Sequence, residues 1–185
     1  MNKGRDEATV RLEVKVKGSL VENGVKICKK QDLDELSSRG YGVAENKELL
    51  LAFYEALYLS DKGILEVEDK NGREADFQKL LQRFKSMDEN AWVKYLTYRD
   101  LRSRGYVVRE GFGFGVDFRV YDRGEYGREA AKHLVLSMQE GKPISTENLD
   151  RVLRSSQSLK KKLIVAVMNR RGEIVYYSVA QLTLK

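Results

Sequence analysis

Gly115-Val116-Asp117-Phe118-Arg119-Val120-Tyr121 decides how the second half of this chain is read. A strand repeats its side chains with a period of two, so Asp117, Arg119 and Tyr121 share one face while Phe118 and Val120 share the other. The pattern predicts a strand with an apolar face in a core and a polar face ending in a tyrosine. On either side of it, strand patterns run from Tyr106 to Arg109, His133 to Met138, Leu163 to Met168 and Ile174 to Val179. A single helix is predicted from about Thr146 to Ser156, capped by Ser145 or Thr146 and burying Leu149, Val152 and Leu153. These are the parts of a sheet with a helix laid against it. The closing Gln181-Leu182-Thr183-Leu184 reads as a further edge strand, open to pairing with a second subunit.

Upstream, Val10, Leu12, Val14 and Val16 alternate with charged residues from Thr9 to Lys17, the period of a half-buried strand. Ser19 to Cys28 reads as its hairpin mate. Leu50, Phe53, Tyr54, Leu57 and Tyr58 fall at the spacing of a core-facing helix that Gly63 closes, and Ile64 to Val67 returns as a strand. A second helix is predicted from Asp76 to Phe84. A third runs from about Asn90 to Arg104, with Trp92, Tyr95 and Leu96 facing inward and Gly105 as its stop. There is no repeat and no Pro/Gly/Ser-rich linker, but the pattern turns from helix-rich to strand-rich near residue 90. The expectation is an α+β fold: a small N-terminal mixed α/β domain, residues 1–90, packed tightly on residues 91–185, which hold a central mixed β-sheet flanked by helices.

Composition narrows the class. The 185 residues carry a net charge of +6 and are 42% hydrophobic, which suits a folded globular protein with an anionic partner. No apolar run reaches the roughly 18 residues that would span a bilayer, and Met1 to Glu7 holds no apolar signal core, so a soluble, cytoplasmic protein without a membrane role is expected. Cys28 is the single cysteine and His133 the single histidine. A structural disulfide and a Cys/His zinc site within one chain are therefore excluded, and no cofactor is called for.

Taken one at a time, the chemical candidates are weak. Tyr121 fits ordinary strand packing. Lys160-Lys161-Lys162, between a helix and a strand, fits a solvated connection as well as a phosphate-binding point charge. The glycines at 111, 113 and 115 do not make a dinucleotide fingerprint, because a strand and not a helix follows them.

Their order along the chain says more. Tyr95-Leu96-Thr97-Tyr98-Arg99-Asp100-Leu101-Arg102-Ser103-Arg104-Gly105-Tyr106-Val107-Val108, then Gly115 to Tyr121, then Ser158-Leu159-Lys160-Lys161-Lys162-Leu163 and Tyr176-Tyr177, resembles the archaeal tRNA-splicing endonuclease family. Ser38-Arg39-Gly40-Tyr41-Gly42 and Glu55-Ala56-Leu57-Tyr58-Leu59 extend the resemblance into the first half. It implies that residues 91–185 form the catalytic nuclease domain. It also implies metal-independent cleavage of precursor tRNA at bulge-helix-bulge junctions, leaving a 2′,3′-cyclic phosphate and a 5′-hydroxyl.

By the same resemblance, Tyr121 matches the general base on the ribose 2′-hydroxyl, and Lys161 the cation that stabilises the charged transition state. An ordinary phenol, with a pKa of about 10, is a weak base near neutrality and needs a neighbouring cation. Arg154 matches an arginine that stacks on a bulged base, and Arg119 and Tyr176 are further expected substrate contacts. The family's general-acid histidine stands in a His-Ser/Ala-x-Tyr-Leu-Val run, which here reads Ala130-Ala131-Lys132-His133-Leu134-Val135. Ala130 thus occupies the acid position and His133 the tyrosine position. His133 could stand in for the acid only if the strand slipped by three residues, which would turn its side chain to the other face. Two histories would leave alanine there: lost catalysis in a natural structural subunit, or a deliberate His-to-Ala replacement. The joint retention of Tyr121, Lys161 and Arg154 favours the second.

A second departure concerns assembly. Self-assembling members of that family carry an acidic loop before the last long strand, whereas this chain has Asn169-Arg170-Arg171-Gly172-Glu173. The resemblance then implies a catalytic subunit paired with a structural subunit in a heterotetramer, with a homo-oligomer built on the C-terminal strand as the alternative.

Overall fold

The computed structural model describes residues 15–113 and 115–182. Most of the predicted first strand, Thr9 to Val14, and Thr183 and Leu184 of the predicted last one lie outside the described residues.

The first half runs β1 (Val16–Val21), β2 (Gly24–Ile27), α1 (Lys30–Ser38), β3 (Val43–Glu45), β4 (Glu48–Leu51), α2 (Phe53–Asp61), β5 (Leu65–Glu68) and α3 (Phe77–Lys85). Its sheet has the order β3-β4-β2-β1-β5, and only β1 and β5 are parallel. The first hairpin turns later than the hydrophobic alternation suggested. Ser19 to Val21 belong to β1, and Val21 faces Gly24 across a turn at Glu22-Asn23. Gly24 permits this because a Cβ there would lie 2.0 Å from the Leu51 carbonyl oxygen. Leu50 is the second correction. It sits in β4, whose hairpin with β3 turns through Asn46 and Lys47 at φ +49° and +67°, the two-residue turn that fits strand twist. Helix α2 ends as expected: Gly63, at φ +68°, donates to the Ser60 carbonyl while Ile64 donates to that of Leu59.

The second half holds α4 (Ala91–Ser103), β6 (Val107–Glu110), β7 (Phe118–Tyr121), β8 (His133–Gln139), α5 (Thr146–Ser158), β9 (Lys162–Met168) and β10 (Ile174–Val179). The strand order is β10-β9-β8-β7-β6. α5 joins the one parallel pair, β8 and β9, and the other pairs are antiparallel. Trp92, expected to face inward, is 37% exposed, whereas Tyr95 and Leu96 are buried at 1% and 3%. Gln181 and Leu182 add no strand, and Leu182 is 80% exposed. Among the described residues the fold is α+β with two five-stranded mixed sheets, and no helix is long and apolar enough to cross a membrane.

The halves share a core. Tyr54 of α2 lies 4.9 Å, centroid to centroid, from Tyr98 of α4 and meets Phe118 of β7 edge-on at 5.1 Å. Such pairs contribute about 0.5–1.5 kcal/mol each beyond their buried area. A polar clamp joins the halves as well. Buried Glu55 accepts from the Gly42 amide at 3.1 and 3.2 Å and from the Ala52 amide at 2.9 Å, and it lies 3.5 Å from the Arg109 guanidinium. Arg109 donates to the carbonyls of Gly40 and Gly42 at 3.0 and 2.6 Å, and Arg102 donates to that of Arg39 at 3.1 Å while lying over the Tyr41 ring. Four residues of the first half, 39–42, are thereby fixed from the second.

Candidate active site

Partners paired across a sheet share a face, so the register assigns the faces. Arg119 pairs with Leu134, and Leu134 with Leu163; Val120 pairs with His133. One face therefore holds Arg119, Tyr121, Leu134 and Leu163. It is covered by α5, whose Val152 is buried. The other holds Phe118, Val120, His133, Val135 and Ala166, most of them part of the common core under α4.

β7 runs antiparallel to β8, and β8 is parallel to β9, so the C-terminus of β7 and the N-termini of β8 and β9 meet at one end of the sheet. Tyr121 is the last residue of β7. Ala130 lies in the irregular segment just ahead of β8, and Lys161 immediately precedes β9. Backbone bonds tie the three entries together: Lys132 N donates to Val120 O at 3.2 Å, and Lys162 N to Lys132 O at 3.0 Å. Lys161 is half-buried, and its ammonium donates to the Ala131 carbonyl, the residue next to Ala130. Tyr121 is also half-buried, whereas Ala130 is exposed, which leaves open space for a larger side chain there.

The end of α5 sets where Lys161 stands. Lys161 N donates to Ser156 O and Lys160 N to Gln157 O, the paired closure in which the residue before the last takes a left-handed conformation. That residue is Lys160, at φ +54°. A non-glycine residue there is strained by roughly 1 kcal/mol. Lys160→Gly is therefore expected to raise unfolding stability by about 1 kcal/mol, which denaturant unfolding would check.

The remaining candidates are dispersed. Arg154 is exposed on α5 and pairs with Asp150 at 2.7 Å, a solvent-screened contact easily exchanged for another anion. Arg119 shares the face of Tyr121, but its Nε donates to the Glu110 carbonyl at 2.8 Å. Tyr176 pairs with Ala166 and so belongs to the opposite face, where its hydroxyl lies 2.7 Å from Asp100 and the Arg104 guanidinium covers its ring. Burial, then that carboxylate, push its phenol pKa well up. His133 is on that opposite face too. Its Nε2 is 3.4 Å from Asp122, and it lines an apolar hollow of about 250 Å³ with Leu101, Tyr106 and Tyr176. No slip of β8 brings it to Tyr121, so it packs as a lone strand histidine does. The loop before β10 is held by Asn169, whose Oδ1 accepts from the amides of Arg171 and Glu173, and it presents Arg170 and Arg171 to solvent.

Sequence patterns gave no sign of Tyr126. Its ring meets that of Tyr121 edge-to-face at 5.1 Å and 90°. It sits in a turn segment between Gly124 and Gly127, where no periodicity exists to mark it.

The chain matches two family models. One, described as the catalytic C-terminal domain of tRNA intron endonuclease, covers residues 91–176, and the other, described as the N-terminal domain, covers residues 16–81. Relatives named tRNA-splicing endonuclease are similar over most of its length. That of Methanococcus maripaludis is 32% identical over 169 residues, spanning 91% of this chain and 96% of the relative. That of Pyrococcus furiosus is 37% identical over 142 residues, spanning 77% and 81%. That of Saccharolobus islandicus is 32% identical over 174 residues, spanning 88% and 95%.

Proposed function

Because the chain belongs to the tRNA intron endonuclease family, we propose that it is the catalytic subunit of a splicing endonuclease, cutting precursor tRNA at bulge-helix-bulge junctions without a metal. Residues 91–185 carry the site and residues 1–90 support it. The observation behind this reading is the meeting of Tyr121, Ala130 and Lys161 at one end of one sheet. Tyr121 takes the proton of the ribose 2′-hydroxyl, and that oxygen attacks the adjacent phosphorus. Lys161 supplies fixed positive charge to the oxygens that gain charge in the transition state. The 5′-oxygen leaves, which gives a 2′,3′-cyclic phosphate and, once protonated, a 5′-hydroxyl. With alanine at position 130 no side chain delivers that proton, so this chain as it stands binds substrate and cuts it poorly.

Arg154 is the substrate contact with most freedom to act: its guanidinium is exposed and leaves Asp150 to stack on an unpaired base. Arg119 adds charge on the same face, and Tyr176 would meet RNA only along the opposite one. The basic Asn169–Glu173 loop supports a heterotetramer with a separate structural subunit rather than self-assembly, with a homo-oligomer as the alternative. A second reading, a non-catalytic structural or RNA-binding subunit, is favoured by Ala130 alone.

Binding separates a junction-specific protein from a merely basic one. The chain is expected to hold a bulge-helix-bulge RNA more tightly than an uninterrupted duplex of the same length, and Arg154→Ala is expected to weaken that binding roughly tenfold, the worth of one stacked base. Equal affinity for both RNAs, unchanged by the substitution, would sink this reading.

A further inference from the structure

On the reading that Tyr121 is the reactive base, we propose that Tyr126 is a positioning residue for it, and that the Gly40 turn of the first half is the surface against which Tyr126 is set. The first half would then help to build the site as well as fold beside it.

Tyr121 ends a strand, where the sheet alone holds a side chain from one side only. Its cross-strand partner is Val107, and its ring meets Tyr126 edge-to-face. Tyr126 and Val107 both lean on Gly40. A Cβ at Gly40 would lie 2.5 Å from Val107 Cγ1 and 3.2 Å from Tyr126 Cε1, so these side chains occupy the space that a bare glycine leaves. Gly40 also has φ +74°, a conformation other residues resist. Its carbonyl is gripped by Arg109, and its neighbour Arg39 by Arg102. The support therefore runs from the arginine clamp through the Gly40 turn and Tyr126 to the Tyr121 ring.

The segment carrying Tyr126 is fixed from its other end too. Glu125 N donates to Asp122 O, and Arg128 N and Glu129 N donate to Glu125 O. Lys132 lies 2.8 Å from Glu125 and 3.4 Å from Asp122. A segment tied down by both backbone and charge holds an aromatic ring in one place. The contribution expected is orientation: a phenol oxygen displaced by about 1 Å loses reactivity on the order of a hundredfold, while substrate binding elsewhere is untouched.

The test uses Ala130→His protein, supplied with a candidate structural subunit, with Tyr126 unchanged, as Tyr126→Phe and as Tyr126→Leu, on a bulge-helix-bulge RNA in single turnover at saturating protein. Tyr126→Phe keeps the ring and is expected to stay within about twofold, whereas Tyr126→Leu is expected to cut the rate at least about tenfold with the RNA Kd unchanged. In parallel, ring-labelled tyrosine NMR of the unmodified chain should show the Tyr121 signals shifted and averaged by Tyr126→Leu alone. A Tyr126→Leu rate within twofold, or a loss confined to Kd, overturns the proposal. If Ala130→His protein cuts nothing, the catalytic reading fails separately, and the NMR decides: Tyr121 signals unmoved by Tyr126→Leu overturn the positioning role.

Discussion

Replacing Ala130 by histidine is expected to raise the single-turnover cleavage rate of a bulge-helix-bulge RNA by about 10² to 10⁴-fold, the usual worth of a positioned general acid. The size follows from the leaving group. A 5′-alkoxide expelled without a proton is a very poor leaving group, and on the proposed reading alanine at position 130 leaves that proton to water. The position itself suits an added imidazole. Ala130 is exposed, lies outside the strand and precedes Ala131, whose carbonyl receives the Lys161 ammonium. The change also buries nothing and breaks no bond of the chain, so stability should move by less than about 0.5 kcal/mol. If the rate rises and the melting temperature does not, the alanine is a lesion at a site that is otherwise complete.

Glu55→Ala carries the largest expected effect on folding, a loss of about 3–5 kcal/mol, or roughly 6–20 °C in Tm for a chain of this size. Burial is the strongest influence on the Glu55 carboxyl and raises its pKa, against the opposing pull of Arg109 and the Ala52 and Gly42 amides. An ion pair with that desolvation is not a net source of stability compared with apolar packing. Removing one partner is different, because it takes the acceptor from the Gly42 and Ala52 amides and leaves the Arg109 charge, still bonded to two carbonyls, without its counter-ion. Glu55→Gln keeps one acceptor oxygen and should lose less than half as much. Denaturant unfolding of the three proteins checks the order. Because the clamp also fixes the Gly40 turn, Glu55→Gln should slow cleavage by Ala130→His protein more than it weakens RNA binding.

Much of this was legible in the sequence, and what was not has physical causes. Alternation over Phe118 to Tyr121 and the apolar spacing in α2 and α5 located those elements, although α2 proves to be buried on all sides from Phe53 to Leu59. Helix α1 had too little to show: its buried residues are only Asp32 and Leu36. The β3–β4 hairpin escaped because Asn46-Lys47 takes a turn usually marked by Asn-Gly. Tyr121 and Lys161 were singled out through the order of short motifs, but their meeting depends on which strand ends coincide, and only the register supplies that. The same register sets His133 and Tyr176 on the face away from Tyr121. What Tyr126, Gly40 and the arginine clamp do was invisible for a plainer reason. They act through contacts far apart in sequence and from loops, where no periodicity records what a side chain touches.

The most direct test of the central claim is end-group analysis of a bulge-helix-bulge RNA incubated in EDTA with Ala130→His protein, supplied with a candidate structural subunit, beside the same protein carrying Tyr121→Phe or Lys161→Ala. The expected products are cuts at the bulges that leave 2′,3′-cyclic phosphate and 5′-hydroxyl ends, formed without metal and lost with either added substitution. Binding without cleavage by Ala130→His protein would contradict that reading and leave the chain as a structural or RNA-binding subunit, and cleavage indifferent to Tyr121 and Lys161 would contradict it by putting the chemistry on other residues.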